Sequence, residues 1–102
     1  LAYLEARDAE KASEFLWGSV AEALKAVASL KGATLRSHGQ LRQYARELAV
    51  ELGDQDVFDT FLHAEALHRN FYELGSDLES VLAIASKVRG TVTKLLEYIP
   101  PK

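Results

Sequence analysis

The residues best placed to do chemistry lie in one stretch, Val57 to Leu74, VFDTFLHAEALHRNFYEL. At about 3.6 residues per turn, Val57, Phe61, Ala64, Phe71 and Tyr72 gather on one side of a helix, the side that should face a core. Glu65 and His68 fall on or beside that same side, three residues apart. A carboxylate at that spacing can orient an imidazole and favour its charged form. A buried polar group without a partner costs on the order of a few kcal/mol, so the pair needs neighbours, and Ser13, Tyr44 and Tyr72 are candidates. Two roles fit: a structural polar network, or a general acid or base in a cleft. His63 and Asn70, with Asp59 one turn before His63, fall on roughly the opposite side, which makes them solvent or interface residues by default. Asn70 is nevertheless grouped with Glu65, His68 and Tyr72 in the candidate network.

A second constellation runs from Arg36 to Arg46. The start of a helix at Ser37 offers free backbone N–H groups that attract anions, and Arg36, Arg42 and Arg46 are placed to clamp phosphate oxygens, with His38 among them. Arg36, Ser37, His38, Arg42 and Arg46 form the candidate anion or nucleotide site. So few basic groups suit a nucleotide or a short RNA better than a long duplex. The other reading is a solvated charged surface.

Three histidines, His38, His63 and His68, raise the question of a metal. Imidazole is a common zinc ligand, but His63 and His68 are five apart and do not share a helix face as i, i+4 pairs do. No metal site is assigned. Glycine-rich phosphate loops and the nucleophile motifs of hydrolases and kinases are absent, so no cofactor and no catalytic residue are assigned either.

The elements that position these groups all read as helices. Leu1 to Ala6 reads as the last turns of a truncated N-terminal helix, and Asp8 as the N-cap of a new one with Glu10 in its first turn. Ala9, Ala12, Leu16, Val20, Ala23, Leu24, Val27 and Leu30 then keep the helical period, Trp17 flanks that stripe, and Gly32 closes it. On the reverse side Phe15, Gly18, Ser19, Glu22 and Ala26 form a smaller stripe, for packing within the bundle or across a dimer. Ser37 to Gln40 has capping-box spacing ahead of Leu41, Tyr44, Ala45, Leu48 and Leu52, with Gly53 as the stop. Asp54 caps the aromatic helix, which Gly75 closes. Ser76 to Glu79 is a further capping box, before a helix through Leu78, Val81, Leu82, Ala85, Val88, Val92, Leu95, Leu96 and Ile99 that Pro100-Pro101 ends. Short connections favour antiparallel neighbours, so the expected fold is all-α: an up-and-down antiparallel bundle of four helices plus the truncated N-terminal helix, one domain over residues 1–102.

Composition sets the outer bounds. The chain has 102 residues, 48% hydrophobic and 26% charged, which suits one ordinary globular core. No apolar run approaches the ~18 residues of a spanning helix, so no membrane partner is expected. The absence of Cys excludes disulfides and thiolate sites and fits a cytoplasmic location. The net charge of −3 hides a segregation. From Ala23 to Arg46 there is no acid, while Glu47, Glu51, Asp54, Asp56 and Asp59 follow directly.

Asp8 to Ala23 (DAEKASEFLWGSVAEA) together with Ala64 to Glu73 (AEALHRNFYE) resembles the archaeal PaREP family, type one, of the HEPN (higher eukaryotes and prokaryotes nucleotide-binding) superfamily. Ala12-Ser13-Glu14, Leu16-Trp17-Gly18, Ser37-His38 with Leu41, and Glu65, Leu67, His68, Asn70, Phe71, Tyr72 and Glu73 carry the resemblance in order and spacing. It implies an archaeal, cytoplasmic, HEPN-like helical bundle, often a homodimer, binding a nucleotide or RNA beside a toxin, nucleotidyltransferase or other defence protein. Active HEPN ribonucleases carry an Arg followed after four to six residues by a His. Here Arg36 precedes His38 by two positions and no His follows Arg69. No catalytic residue is therefore carried over, and the alternative to a binding module is a scaffold that binds only protein. A metal-independent ribonuclease using His38 or His68 is the third reading.

Overall fold

The structure, a computed structural model, describes residues 2–69, Phe71 and residues 78–97. Four helices account for almost all of them: α1 (Ala2–Leu30), α2 (His38–Leu52), α3 (Gln55–Arg69) and α4 (Leu78–Leu96). The architecture is an all-α bundle, and no strand occurs among the described residues. None of the helices is long and apolar enough to cross a membrane.

Helix α1 runs without interruption through Asp8, which is therefore an interior residue and not a cap. No Gly or Pro stands between Ala2 and Trp17 to stop a helix, and an interior Asp costs only about 0.7 kcal/mol relative to Ala. The segment read as a separate truncated helix is thus the beginning of α1. Two glycines end helices as the spacing predicts. Gly32 (φ 78°) and Gly53 (φ 64°) adopt the left-handed conformation. In each case the next N–H reaches back to a carbonyl of the last turn: Ala33 to Ala28 at 2.9 Å, and Asp54 to Ala49 at 2.9 Å. Asp54 then caps α3, its Oδ1 accepting from the Asp56 N–H at 3.1 Å. Gly75, Ser76, Asp77 and the Pro100-Pro101 stop lie outside the described residues, as do Asn70 and Tyr72.

Helix directions follow from contacts between residues far apart in the chain. Trp17, in the middle of α1, meets His38 at the start of α2, while Lys31 just past α1 meets Glu51 near the end of α2. Helix α2 therefore runs parallel to α1. The connection from Lys31 to Ser37 allows this. Seven extended residues span about 23 Å, enough to return along the ~20 Å of helix between Trp17 and Leu30. The antiparallel relation expected from short connections holds for α2 with α3, joined through Gly53 and Asp54, and for α3 with α4, whose Thr60 and Thr91 hydroxyls share a hydrogen bond of 3.1 Å. Lys94 near the end of α4 also pairs with Asp54 at the start of α3.

Helix α1 packs most extensively on α4, and α2 on α3, with α1 and α3 also in contact. Helices α2 and α4 lie on opposite flanks and do not meet. The core is built from the expected stripes: Leu16, Val20, Leu24 and Val27 of α1, Leu41, Ala45 and Leu48 of α2, Val57, Phe61 and Ala64 of α3, and Val81, Val88 and Leu95 of α4 are all buried. Leu30, Leu82 and Leu96 continue the pattern but are exposed by half or more, because no neighbouring helix covers those positions. Trp17, expected on the flank of its stripe, is buried.

Candidate functional site

Three helices bring a set of polar and aromatic side chains together around Trp17. On α2, Ser37 fixes the start of the helix: its Oγ accepts from the Gln40 N–H at 3.1 Å. The Gln40 side chain closes the box one residue further out than expected, accepting from the Arg36 N–H at 2.5 Å. This cap places His38 in the first turn and Arg42 one turn later on the same face. On α3, Phe61, Glu65 and His68 follow one another at helical spacing, facing α2 and α1.

Glu65 is the centre of the arrangement. It is only 6% exposed, and its Oε1 accepts from Arg42 Nη2 at 2.9 Å and Nε at 3.3 Å. His38 Nδ1 stands 3.8 Å from the other carboxylate oxygen, an ion pair when the imidazole is protonated. The His38 ring lies against Trp17 with a centroid separation of 4.9 Å, and the His68 ring stacks on the same indole at 5.7 Å and an interplanar angle of 13°. Phe61 completes the group, 5.3 Å from Trp17. Glu65 Oε2 and His68 Nδ1 are both buried without a hydrogen-bond partner among the described residues.

The two constellations read from the sequence therefore meet in part, through His38 and Arg42 of one and Glu65 and His68 of the other. Sequence reasoning pairs Glu65 with His68 along α3, but no hydrogen bond or ion pair joins them among the described residues; the carboxylate's partner is Arg42, from the neighbouring helix. Of the other candidates, Ser13 Oγ donates to the Glu10 carbonyl at 2.7 Å in its own helix. The Tyr44 hydroxyl is buried and unpartnered among the described residues, and burial raises its pKa above the ordinary 10.0. Arg36 is exposed. Arg46 turns away from the cluster, its guanidinium 5.1 Å above the Phe58 ring. His63 is exposed in a separate groove of about 290 Å³ between α3 and α4.

Folding also removes much of the charge segregation. Lys25 meets Glu22 at 3.5 Å, Lys31 meets Glu51 at 2.6 Å, and Arg42 meets Glu65. The acid-free window thus keeps few uncompensated cations, which disfavours a polyanion-binding face and leaves a compact site with a fixed guanidinium, two imidazoles and an indole. Among the described residues no three His, Cys, Asp or Glu side chains are placed to hold a metal ion.

Trp17 and the Arg42–Glu65 pair were not singled out from sequence, although a signal for the pair was present. Arg42 precedes Gly53 by eleven residues and Glu65 follows Asp54 by eleven. In an antiparallel helical hairpin, residues equidistant from the turn lie opposite one another.

The model of the archaeal PaREP1/PaREP8 family matches residues 1–92 of this chain. No curated protein and no solved structure matches it.

Proposed function

The chain thus belongs to the archaeal PaREP1/PaREP8 family, and for this member we propose a nucleotide- or RNA-binding module whose base end is the Trp17 cluster and whose phosphate end is Arg36 with the start of α2. One observation carries the reading: Trp17, His38, Arg42, Glu65 and His68 converge from three helices while a carboxylate oxygen and an imidazole nitrogen in their midst stay unpartnered. Flat aromatic rings bind bases by stacking in a sequence-tolerant way, and an N-terminal helix end with an exposed Arg suits a single phosphate. The compensated basic window favours a mononucleotide or a short single strand over a duplex. The module is a binding one, working in an archaeal cytoplasm; no catalytic step is assigned to it.

Amide NMR titration of the protein with mononucleotides and with a short single-stranded RNA tests this. The expected outcome is shifts confined to Trp17, His38, His68 and the Arg36–Arg42 segment, with RNA retention weakened by salt. Silence at millimolar ligand overturns the reading.

A second reading rests on a different observation. Phe15 is 73% exposed at the rim of an apolar groove of about 350 Å³ between α1 and α4, lined also by Leu16, Ala85, Val88 and Val92. Such a face suits a protein partner, a second copy of the chain first of all. Gly18 adds to it, since a side chain there would meet nothing in this chain. Light scattering at high micromolar concentration should give a dimer mass that Phe15→Asp reduces to the monomer. A monomeric wild type removes the homodimer.

A further inference from the structure

The unpartnered oxygen of Glu65 says which base the cluster suits. We infer that the ligand is recognised through a hydrogen-bond-donating edge and that the base selected is guanine. This rests on the nucleotide reading above and deepens it.

The argument starts from how the carboxylate is divided. Both Arg42 bonds end on Oε1, which fixes the group and offsets its charge, while Oε2 is buried and accepts nothing among the described residues. Among the described residues, the chargeable groups paired with the carboxylate are Arg42, already engaged, and His38, whose Nδ1 at 3.8 Å is beyond hydrogen-bond distance. An ionised oxygen kept from water without a donor is a costly arrangement, and a ligand N–H relieves it. His38 is the side chain free to yield. Its Nδ1 lies 3.8 Å from Oε2, its side chain is 48% exposed, and it occupies Trp17 by ring contact. A base that takes the place of the imidazole on Trp17 keeps the aromatic contact and brings its edge to Glu65.

Base chemistry then discriminates. Guanine presents two adjacent donors, N1–H and the 2-amino group, and the two lone pairs of Oε2 accept from both, as Oε1 accepts from two nitrogens of Arg42. Adenine and cytosine each present one amino donor beside an acceptor nitrogen. Uracil presents its single N–H between two carbonyls, whose lone pairs face the carboxylate unfavourably. Hypoxanthine keeps the N1–H of guanine and lacks the 2-amino group. The expected order of affinity is guanine, then hypoxanthine, then adenine and cytosine, then uracil.

Trp17 is the only tryptophan of the chain, so its indole N–H gives one NMR resonance that reports on the site. The experiment titrates the full chain with GMP, IMP, AMP and UMP, and repeats the series on Glu65→Gln, whose amide can accept but carries no charge. The expected result is a preference for GMP over UMP of about 5- to 150-fold, the range of a good bidentate contact, with IMP between them. In Glu65→Gln the preference should collapse. If Glu65→Gln does not fold, the order of the four ligands on the wild type decides. Equal affinity for all four, or AMP ahead of GMP, overturns the inference while leaving nucleotide binding intact. No response to any of them removes the nucleotide reading itself.

Discussion

Arg42 and Glu65 face each other across the α2–α3 hairpin, with the guanidinium donating twice to one carboxylate oxygen, at 2.9 and 3.3 Å. The two partners are unequally placed: Glu65 is buried, Arg42 is 38% exposed. Their removal should therefore have unequal costs. Arg42→Met strands a buried carboxylate and should cost about 2–3 kcal/mol, less than the ~3–5 of a fully buried pair because Arg42 is partly solvated. Glu65→Leu leaves an Arg that water can reach and should cost less. The double variant should be more stable than Arg42→Met alone. Urea unfolding of the three variants measures this, and a double variant worse than Arg42→Met would show that the pair is not what holds the hairpin.

The pair of Asp54 and Lys94 predicts a pH window. A hydrogen bond from Lys94 holds the Asp54 carboxyl below its ordinary value of 3.8, and the same bond raises Lys94 above its ordinary 10.5. For Asp54 the linked stability is fully present above the unfolded value and lost as pH falls through the folded one. For Lys94 it is present below the unfolded value and lost as pH rises through the folded one. Asp54→Asn keeps a capping side chain but removes the ion pair. The melting-temperature difference between wild type and Asp54→Asn should be constant between those two ordinary values and shrink outside them at both ends. A difference that does not change with pH would mean that the pair contributes nothing through charge.

Alanine at two glycines should act in opposite directions. Gly53 closes α2 with φ 64°, where a Cβ is strained although space is open, so Gly53→Ala should destabilise by about 1 kcal/mol. Gly90 lies inside α4, where an added Cβ meets nothing within 4 Å, so Gly90→Ala should stabilise by up to about 1 kcal/mol through helix propensity. Thermal unfolding of both variants against wild type reads the two signs.

Tyr44 carries a buried hydroxyl with no partner among the described residues. Tyr44→Phe removes the desolvated group and keeps the ring, so stability should be unchanged or rise by up to about 1 kcal/mol. A loss greater than that in urea unfolding would reveal a hydrogen bond to this hydroxyl in solution.

Much of the fold was legible because it is set by short-range rules. Ser37, Gly53 and Asp54 cap or stop helices by bonds within a few residues, and most of the described stripe residues of α1, α2 and α3 are buried, Leu30 at the end of α1 being exposed. Asp8 misled, since a good capping residue is not a cap when the chain before it is equally able to be helical. Leu82 and Leu96 belong to the helix that periodicity marks yet stay exposed, because periodicity does not say how much of a helix its neighbours cover.

The sequence by itself determined that the chain is helical, the helix limits at Gly32, Ser37, Gly53 and Asp54, and the residues able to do chemistry: Arg42, His38, Glu65 and His68 are named by type and by place on a face. Local bonds and periodicity suffice for that, since both act over one or two turns. Only the tertiary structure decided that Glu65 pairs with Arg42 and not with His68, that Trp17 contacts two imidazoles, and that α2 runs parallel to α1. The reason is that a seven-residue connection can reverse the chain or lay it back along the preceding helix, and the register between helices is then fixed by burial over the whole bundle. Helical spacing tells which side chains share a face; it does not tell which face they will meet.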